Sequence, residues 1–375
     1  MKTLGITVSY LARKYPPFHE KRYFSQLATE GKKKNIQVFI FDPKKINWNT
    51  RTVTGWTVES PQQFTKGIQP IPALIYDRIF YRNRQHFLQY KPHVTRLMND
   101  PNIRFLGHPL KGKYQTYQLL KQSPFLQPYL PETVRYDTIE TLHHMLHKHQ
   151  TICMKPNGGS HGRGVLKISH QKGHYSVTGR NLLNRHFHGR FSNRYQFDHW
   201  LQQFVQQTRY IIQPYLTLLT PKGFPFDVRI LVQKNEHHTW TTTGAAVRIG
   251  PSHTITSNLH GGGKAILFEP FLDKYYSDRI EPIQTKLTSI TSYLPRFIEQ
   301  NHGPLVELGI DVGIDQQANI WLLEVNSKPG RSVFLQMGKP EIHHLAVQLP
   351  IRYAESLLQG SRRWNPVIQH SVFNR

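Results

Sequence analysis

The period of the apolar positions changes repeatedly along this chain, and each change marks an element. Residues 3–8 and 38–41 are apolar runs of strand length, and residues 18–29 between them keep helical spacing. That order predicts a parallel sheet, with the second strand ending at Asp42-Pro43 and a further strand at residues 74–76. Residues 113–122 return to helical spacing, 130–133 re-enter extended structure, and 141–149 and 197–205 read as amphipathic helices. Residues 210–219 form an apolar strand interrupted by Pro214, a hinge along which a flat ring could lie. Strands follow at 226–232 and 241–249. Residues 282–301 read as a helix that Pro295 would kink, and 342–358 as a closing helix.

The most informative stretch is residues 305–331. Leu308, Ile310, Val312 and Ile314 alternate with Gly309, Asp311, Gly313 and Asp315, which gives a strand with one apolar and one polar face. A β-branched and aromatic run at 320–325 follows, and residues 316–319 have the composition of a hairpin loop. A hairpin symmetric about Gln317 and Ala318 sets Asp311 opposite Glu324, with Asn326 on the same face. Opposed carboxylates repel across a ladder, so a positive charge is expected there. Two carboxylates and an amide oxygen are hard ligands that suit Mg²⁺ or Mn²⁺ sharing its shell with water and phosphate. Asp315 abuts the turn and is read as a solvated turn residue.

A second stretch, residues 152–169, is a strand ending in Lys155-Pro156, a loop holding Gly158, Gly159, Ser160, Gly162 and Gly164, and a new strand from Val165. Glycines let backbone N–H groups turn toward an anion, and Lys155 can reach a phosphate as a point charge. The loop is neither a Walker loop nor a kinase glycine loop, and a mobile surface hairpin has the same composition. Asp227 and Arg229 share one strand face, either paired with each other or available to a ligand. Arg248 closes the next strand, and Asn258 lies in a loop with Gly261, Gly262 and Gly263. His143 and His147, one helical turn apart, have the spacing of a zinc pair but lack a neighbouring ligand cluster, so a solvated helix face is preferred.

With 375 residues the chain exceeds one ordinary core, and two or three domains are expected. Its single cysteine, Cys153, excludes a disulfide framework and suits a reducing compartment. The amino-terminal apolar run is too short and interrupted for a signal peptide or a membrane span, so the reading is a soluble, cytoplasmic protein without a membrane partner. The first turn lacks the glycine fingerprint of a nicotinamide dinucleotide site. Lys and Arg number 48 against 23 Asp and Glu, a formal charge of +25 that attracts anions. The charges are scattered and accompany no specific nucleic-acid motif, leaving a solvated basic surface or a polyanionic partner.

Lys113, the Lys155 glycine hairpin, the hinge at Gln213, Asp227 with Arg229, Asn258 and the Asp311 to Asn326 hairpin resemble the ATP-grasp superfamily in order and approximate spacing. The pieces FDVRILVQ, SNLHGGG and GIDVGIDQQANIWLLEVNSKPGR look like the YheC/YheD group, described as endospore coat-associated ATP-grasp proteins, with RimK-type ligases the nearest enzymes of known chemistry. The resemblance covers about residues 107–332. It implies an α/β protein of α+β subdomains, an ATP-grasp fold preceded by a small parallel-sheet domain. The divisions are 1–105, 106–209 with the glycine hairpin, 210–360 with the metal hairpin, and a basic tail at 361–375.

The resemblance further implies that Lys113 and Lys155 contact the α- and β-phosphates of ATP under a lid carrying Gly159, Ser160, Gly162 and Gly164. The backbone of Gln213, Pro214, Tyr215 and Leu216 would meet adenine, though Pro214 stands where related ligases often carry an acid. Asp227 would meet the ribose side, and Arg229, Arg248 and Asn258 the γ-phosphate or an acyl phosphate. Asp311, Glu324 and Asn326 would hold two Mg²⁺ ions. The implied reaction is an ATP- and Mg²⁺-dependent carboxylate–amine ligation through an acyl phosphate. The basic charge and Arg248 favour an acidic acceptor. The same resemblance allows a structural spore-coat protein with spore-coat partners that keeps the fold without the ligase reaction.

Overall fold

The computed structural model describes residues 1–61, 63–159, 162–252, 254–255, 257 and 262–360. The readings made for Ser160, Asn258 and the tail 361–375 fall outside them. Three sheets follow one another along the chain. In the first, β1 (Lys2–Thr7) pairs in parallel with β2 (Ile36–Asn47) and β5 (Leu74–Asp77), and β5 pairs with β6 (Arg104–Phe105). Two antiparallel strands, β3 (Thr52–Ser60) and β4 (Gln63–Pro70), extend from the β2 edge. Alternation sorts the side chains: Val38 and Ile40 pack beneath α1 (Lys21–Lys33), while Phe39 and Phe41 pack with α2 (Arg84–Met98).

Asp42-Pro43 does not end β2. The strand continues to Asn47 across a register irregularity between Phe41 and Ile46, which accommodates a proline that lacks the ladder N–H. Asp42 accepts hydrogen bonds from Tyr10 N (3.1 Å), Lys44 N (2.9 Å) and the Tyr90 hydroxyl (2.6 Å), so its turn-forming chemistry is spent on anchoring.

The second sheet runs β11-β10-β9-β8-β12-β7, all antiparallel. Its strands are β7 (Val134–Arg135), β8 (Thr151–Pro156), β9 (Leu166–Gln171), β10 (His174–Arg180), β11 (His186–Phe191) and β12 (Tyr210–Pro214). Between β6 and this sheet the chain forms α3 (Lys113–Leu120). Ile152, Met154, Leu166, Ile168 and Ile212 face α4 (Ile139–His149) and α5 (Arg194–Val205), forming one core. The opposite face carries Cys153, Lys155, Lys167 and Gln213. β12 is hydrogen-bonded into this sheet, so a boundary drawn before Tyr210 falls inside it; the covalent crossing comes after Pro214.

The third sheet, β15-β14-β13-β16-β17, is also antiparallel. It comprises β13 (Phe226–Lys234), β14 (Trp240–Ile249), β15 (Lys264–Leu267), β16 (Glu307–Ile314) and β17 (Ile320–Asn326). One face packs on α6 (Phe268–Tyr275) and on α7 (Ile280–His302), which runs through Pro295, with Leu120 of α3 in the same core. After the short α8 (Ser332–Gln336), α9 (Pro340–Gln359) returns to the first sheet and inserts Val347, Ile351, Tyr353 and Ala354 into its core.

A buried charge network joins the first and third sheets. Glu307, with no exposed surface, accepts from the Tyr76 hydroxyl, Arg331, Arg78 (3.2 Å) and Gln233 Nε2 (3.0 Å). Arg78 continues to Glu20 at 2.5 Å.

Candidate functional site

Lys113 opens α3, and the sequence around it dictates its placement. Its backbone N–H donates to Asn157 O (2.9 Å), and the next N–H, of Tyr114, donates to Asn157 Oδ1 (2.7 Å). The helix N-terminus is therefore pinned to the base of the glycine loop. From there Lys113 Nζ donates to Gly159 O (2.9 Å) and pairs with Glu324 (2.9 Å). One side chain thus connects the glycine loop of the second sheet to the acid of the third. Gly159, Gly162 and Gly164 have φ of +99°, +71° and +72°, a region that L side chains avoid, which accounts for the glycines there. A Cβ at Gly164 would also press on Pro156 and Tyr210.

Lys155, Cys153, Lys167 and Gln213 form the floor next to this loop. Cys153 lies opposite both Gln213 and Lys167 in the ladders, and Lys155 opposite Ile211. Burial pushes the Cys153 thiol up, against a smaller opposing effect of Lys155, and burial pulls Lys167 down. Lys167 Nζ sits 4.2 Å from the centroid of the Tyr215 ring. Lys167 was not singled out from the sequence; its signal was its position opposite Cys153 across the hairpin.

The expected adenine contacts are narrower than the sequence suggested. Tyr215 N–H donates to Thr151 O (3.0 Å), Pro214 has no N–H, and the Gln213 side chain turns to Thr133 Oγ1 (2.8 Å). Leu216 keeps the amide of this hinge that meets no backbone carbonyl among the described residues.

On the third sheet Asp311 does lie opposite Glu324. The route differs from the symmetric hairpin. Ile314 pairs with Ile320, so the turn centres on Gln317, and an irregularity at Leu323 restores the Asp311 to Glu324 pairing. Asp315 anchors that turn, accepting from Gln317 N (3.0 Å), Asn319 N (2.9 Å) and Trp321 Nε1 (3.0 Å), so it is an internal acceptor rather than simply solvated.

Asp227 and Arg229 do not pair with each other. Arg229 binds Asp311 through two nitrogens, Nη2 at 2.9 Å from Oδ2, and Arg248 adds a contact to the same oxygen at 3.0 Å. Arg248 also forks onto Asp227 (2.6 and 2.8 Å), which accepts from the Ser257 hydroxyl as well. Each partner is the cross-strand neighbour, Arg229 of Asp311 and Asp227 of Arg248. A charged side chain on a strand meets its ladder partner before its neighbour two positions along. Burial alone would raise the Asp311 carboxyl, but Arg229 and Arg248 hold it below the usual range. Burial would lower Arg248, and Asp227 and Asp311 outweigh it.

The positive charge demanded opposite the two acids is thus supplied by Arg229, Arg248 and Lys113. As a donor set for Mg²⁺, Asp311, Glu324 and Asn326 offer hard oxygens at adjacent ladder positions, with Glu324 and Asn326 half-buried. Asp311 is the less available member, since both its oxygens are engaged. Among the described residues no group of three His, Cys, Asp or Glu forms a metal cluster, and His143 instead binds Asp198 at 2.7 Å.

A lysine-lined glycine loop facing an acid hairpin across two antiparallel sheets defines the ATP-grasp class, and solved structures share the fold. D-cycloserine synthetase DcsG superposes with a TM-score of 0.55 at 10% identity, covering 95% of this chain and 98% of that one. D-alanyl-alanine synthetase A from Vibrio cholerae gives 0.55 at 12% identity, covering 95% and 99%. The model of YheC/D like ATP-grasp proteins matches residues 102–357, and the chain belongs to that family. The endospore coat-associated protein YheC of Bacillus subtilis is 32% identical over 343 residues, 90% of this chain and 93% of that protein. Endospore coat-associated protein YheD of the same organism is 28% identical over 92% of this chain and 74% of its own length.

Proposed function

We propose that the protein is an ATP- and Mg²⁺-dependent ligase that activates a carboxylate and joins it to an amine. The observation that carries this reading is Lys113, held between Gly159 O and Glu324, which ties the glycine loop to the acid hairpin. Lys155 and the loop amides at Gly159 to Gly164 would receive phosphate oxygens, and Leu216 N–H would meet adenine. Glu324, Asn326 and Asp311 would hold Mg²⁺, which neutralises phosphate charge when bound. Arg229 and Arg248 bring fixed positive charge to the same face, where a transferring phosphoryl group and an acyl phosphate need it. Neither half-reaction requires a protein nucleophile; alignment and charge compensation carry both. The coat-associated names of the relatives support action on spore-coat material. They equally favour a second reading, a coat protein that binds nucleotide without turnover.

The test is thermal stabilisation by Mg-ATP followed by a screen of carboxylate and amine pairs for ADP and phosphate release. Stabilisation of several degrees with substrate-dependent ADP release supports the ligase. Stabilisation without ADP release from any pair favours the coat protein, and no stabilisation refutes both.

A further inference from the structure

The order of the first sheet places β2 on one side of β1 and β5 on the other, so the carboxyl ends of β1 and β5 flank a crevice at the point where the winding reverses. Open α/β sheets take ligands at such points. Here the end of the acid hairpin is tied to the same place. Lys328, two residues beyond Asn326, donates to Asp77 Oδ2 (2.7 Å) and Ile79 O (2.8 Å) at the carboxyl end of β5. The crevice therefore opens beside Glu324 and Asn326.

The charges around this crevice are unbalanced. Its acids are consumed internally: Asp77 by Lys328, Thr7 and Ile79 N, Asp42 by Tyr10, Lys44 N and Tyr90, and Glu20 by Arg78. Its cations are not. Lys14, Lys44 and Arg82 are exposed on the loops following β1, within the β2 irregularity and following β5, and among the described residues no carboxylate pairs with them. Lys44 Nζ rests 4.1 Å over the Tyr90 ring, and Arg82 N donates to His86 Nδ1 at 3.2 Å. Their fields overlap on two histidines: burial, then Lys14 and Arg82 against Glu20, lower His19, and burial, then Arg82 and Lys44 against Asp42, lower His86. Three cations set against one acid without a cationic partner, Asp42, leave an excess of positive charge that favours an anion between them.

Building on the ligase reading, we infer that the acceptor bound in the β1/β5 crevice carries an anionic group besides the carboxylate that is activated, held by Lys14 and Arg82 with Lys44 at its edge. A carboxylate or a phosphate on the acceptor has the required chemistry.

The experiment uses the full chain with saturating Mg-ATP and matched probes: glutamate against glutamine, aspartate against asparagine, and phosphoserine against serine. Binding is read by saturation-transfer NMR and turnover by ADP release. The anionic member of at least one pair binds at least fivefold more tightly, and Lys14→Gln combined with Arg82→Gln removes the preference while leaving stabilisation by Mg-ATP in place. Both positions are exposed, so the variant keeps its fold. Equal binding within every pair, no binding of any probe, or a preference that survives the double substitution overturns the inference. Loss of Mg-ATP stabilisation in the unsubstituted protein defeats the ligase reading instead, and the NMR preference still decides this one.

Discussion

Asp311 and Glu324 are neighbours in the same ladder, yet their substitution separates folding from chemistry in opposite ways. Asp311 is buried between two arginines, and removing it strips Arg229 of its carboxylate partner while Arg248 keeps Asp227. Asp311→Ala is therefore expected to cost about 3–5 kcal/mol of stability, read as a lower urea midpoint, in addition to losing ATP turnover. Glu324 is half-exposed and, among the described residues, its ion pair is with Lys113. Glu324→Gln should change the melting temperature by no more than about 2 °C and weaken Mg-ATP binding at least tenfold by calorimetry, because exposed ion pairs contribute only about 0–1 kcal/mol. Alternation and an assumed symmetric turn paired these two acids from the sequence, and the pairing holds because the irregularity at Leu323 offsets the shifted turn. What it hid was the arginines: Arg229 and Arg248 reach Asp311 through strand pairings about 80 and 60 positions away, which no local period encodes.

The elements themselves were largely legible, because amphipathic spacing reports burial on one face. β4 escaped notice because it is mostly exposed and carries little periodic signal, and β3 was missed although Val53, Trp56 and Val58 are buried. The break assigned to Asp42-Pro43 failed for a related reason: turn-forming residues were absorbed by a bulge inside a strand. Where β6 passes to α3, His108 lies near His302 at the end of α7, and burial lowers His108 to about 4 and His302 below its usual value. A histidine whose folded value lies below its unfolded one favours the folded state in its neutral form. That stability is complete above about pH 6.5 and is lost as the pH falls toward 4. Urea unfolding at pH 7.5 and pH 5.0 should show a loss on the order of 2 kcal/mol, and His108→Gln should shrink the difference. An unchanged difference would remove His108 as its source.

At the scale of the whole molecule, the least legible feature is the contact between sheets. Glu307 stands just ahead of the alternation read from Leu308 and drew no notice there, but folding surrounds it with Tyr76, Arg78, Gln233 and Arg331. Glu307→Ala is expected to destabilise the chain by about 3–5 kcal/mol in equilibrium unfolding, more than any substitution at Lys113, because two buried guanidinium groups lose their shared acceptor. Retention of the wild-type midpoint would show that the network contributes nothing net.

The last helix has a consequence for how the chain is made. Val347, Ile351 and Ala354 complete a core that includes Leu4 and Ile6, so the first sheet lacks part of its interior until residues 347–354 have been synthesised. A fragment of residues 1–106 should bind a hydrophobic dye and aggregate, and a supplied peptide of residues 339–360 should rescue it. During synthesis the first sheet thereby waits, sticky and unfinished, for a helix far downstream.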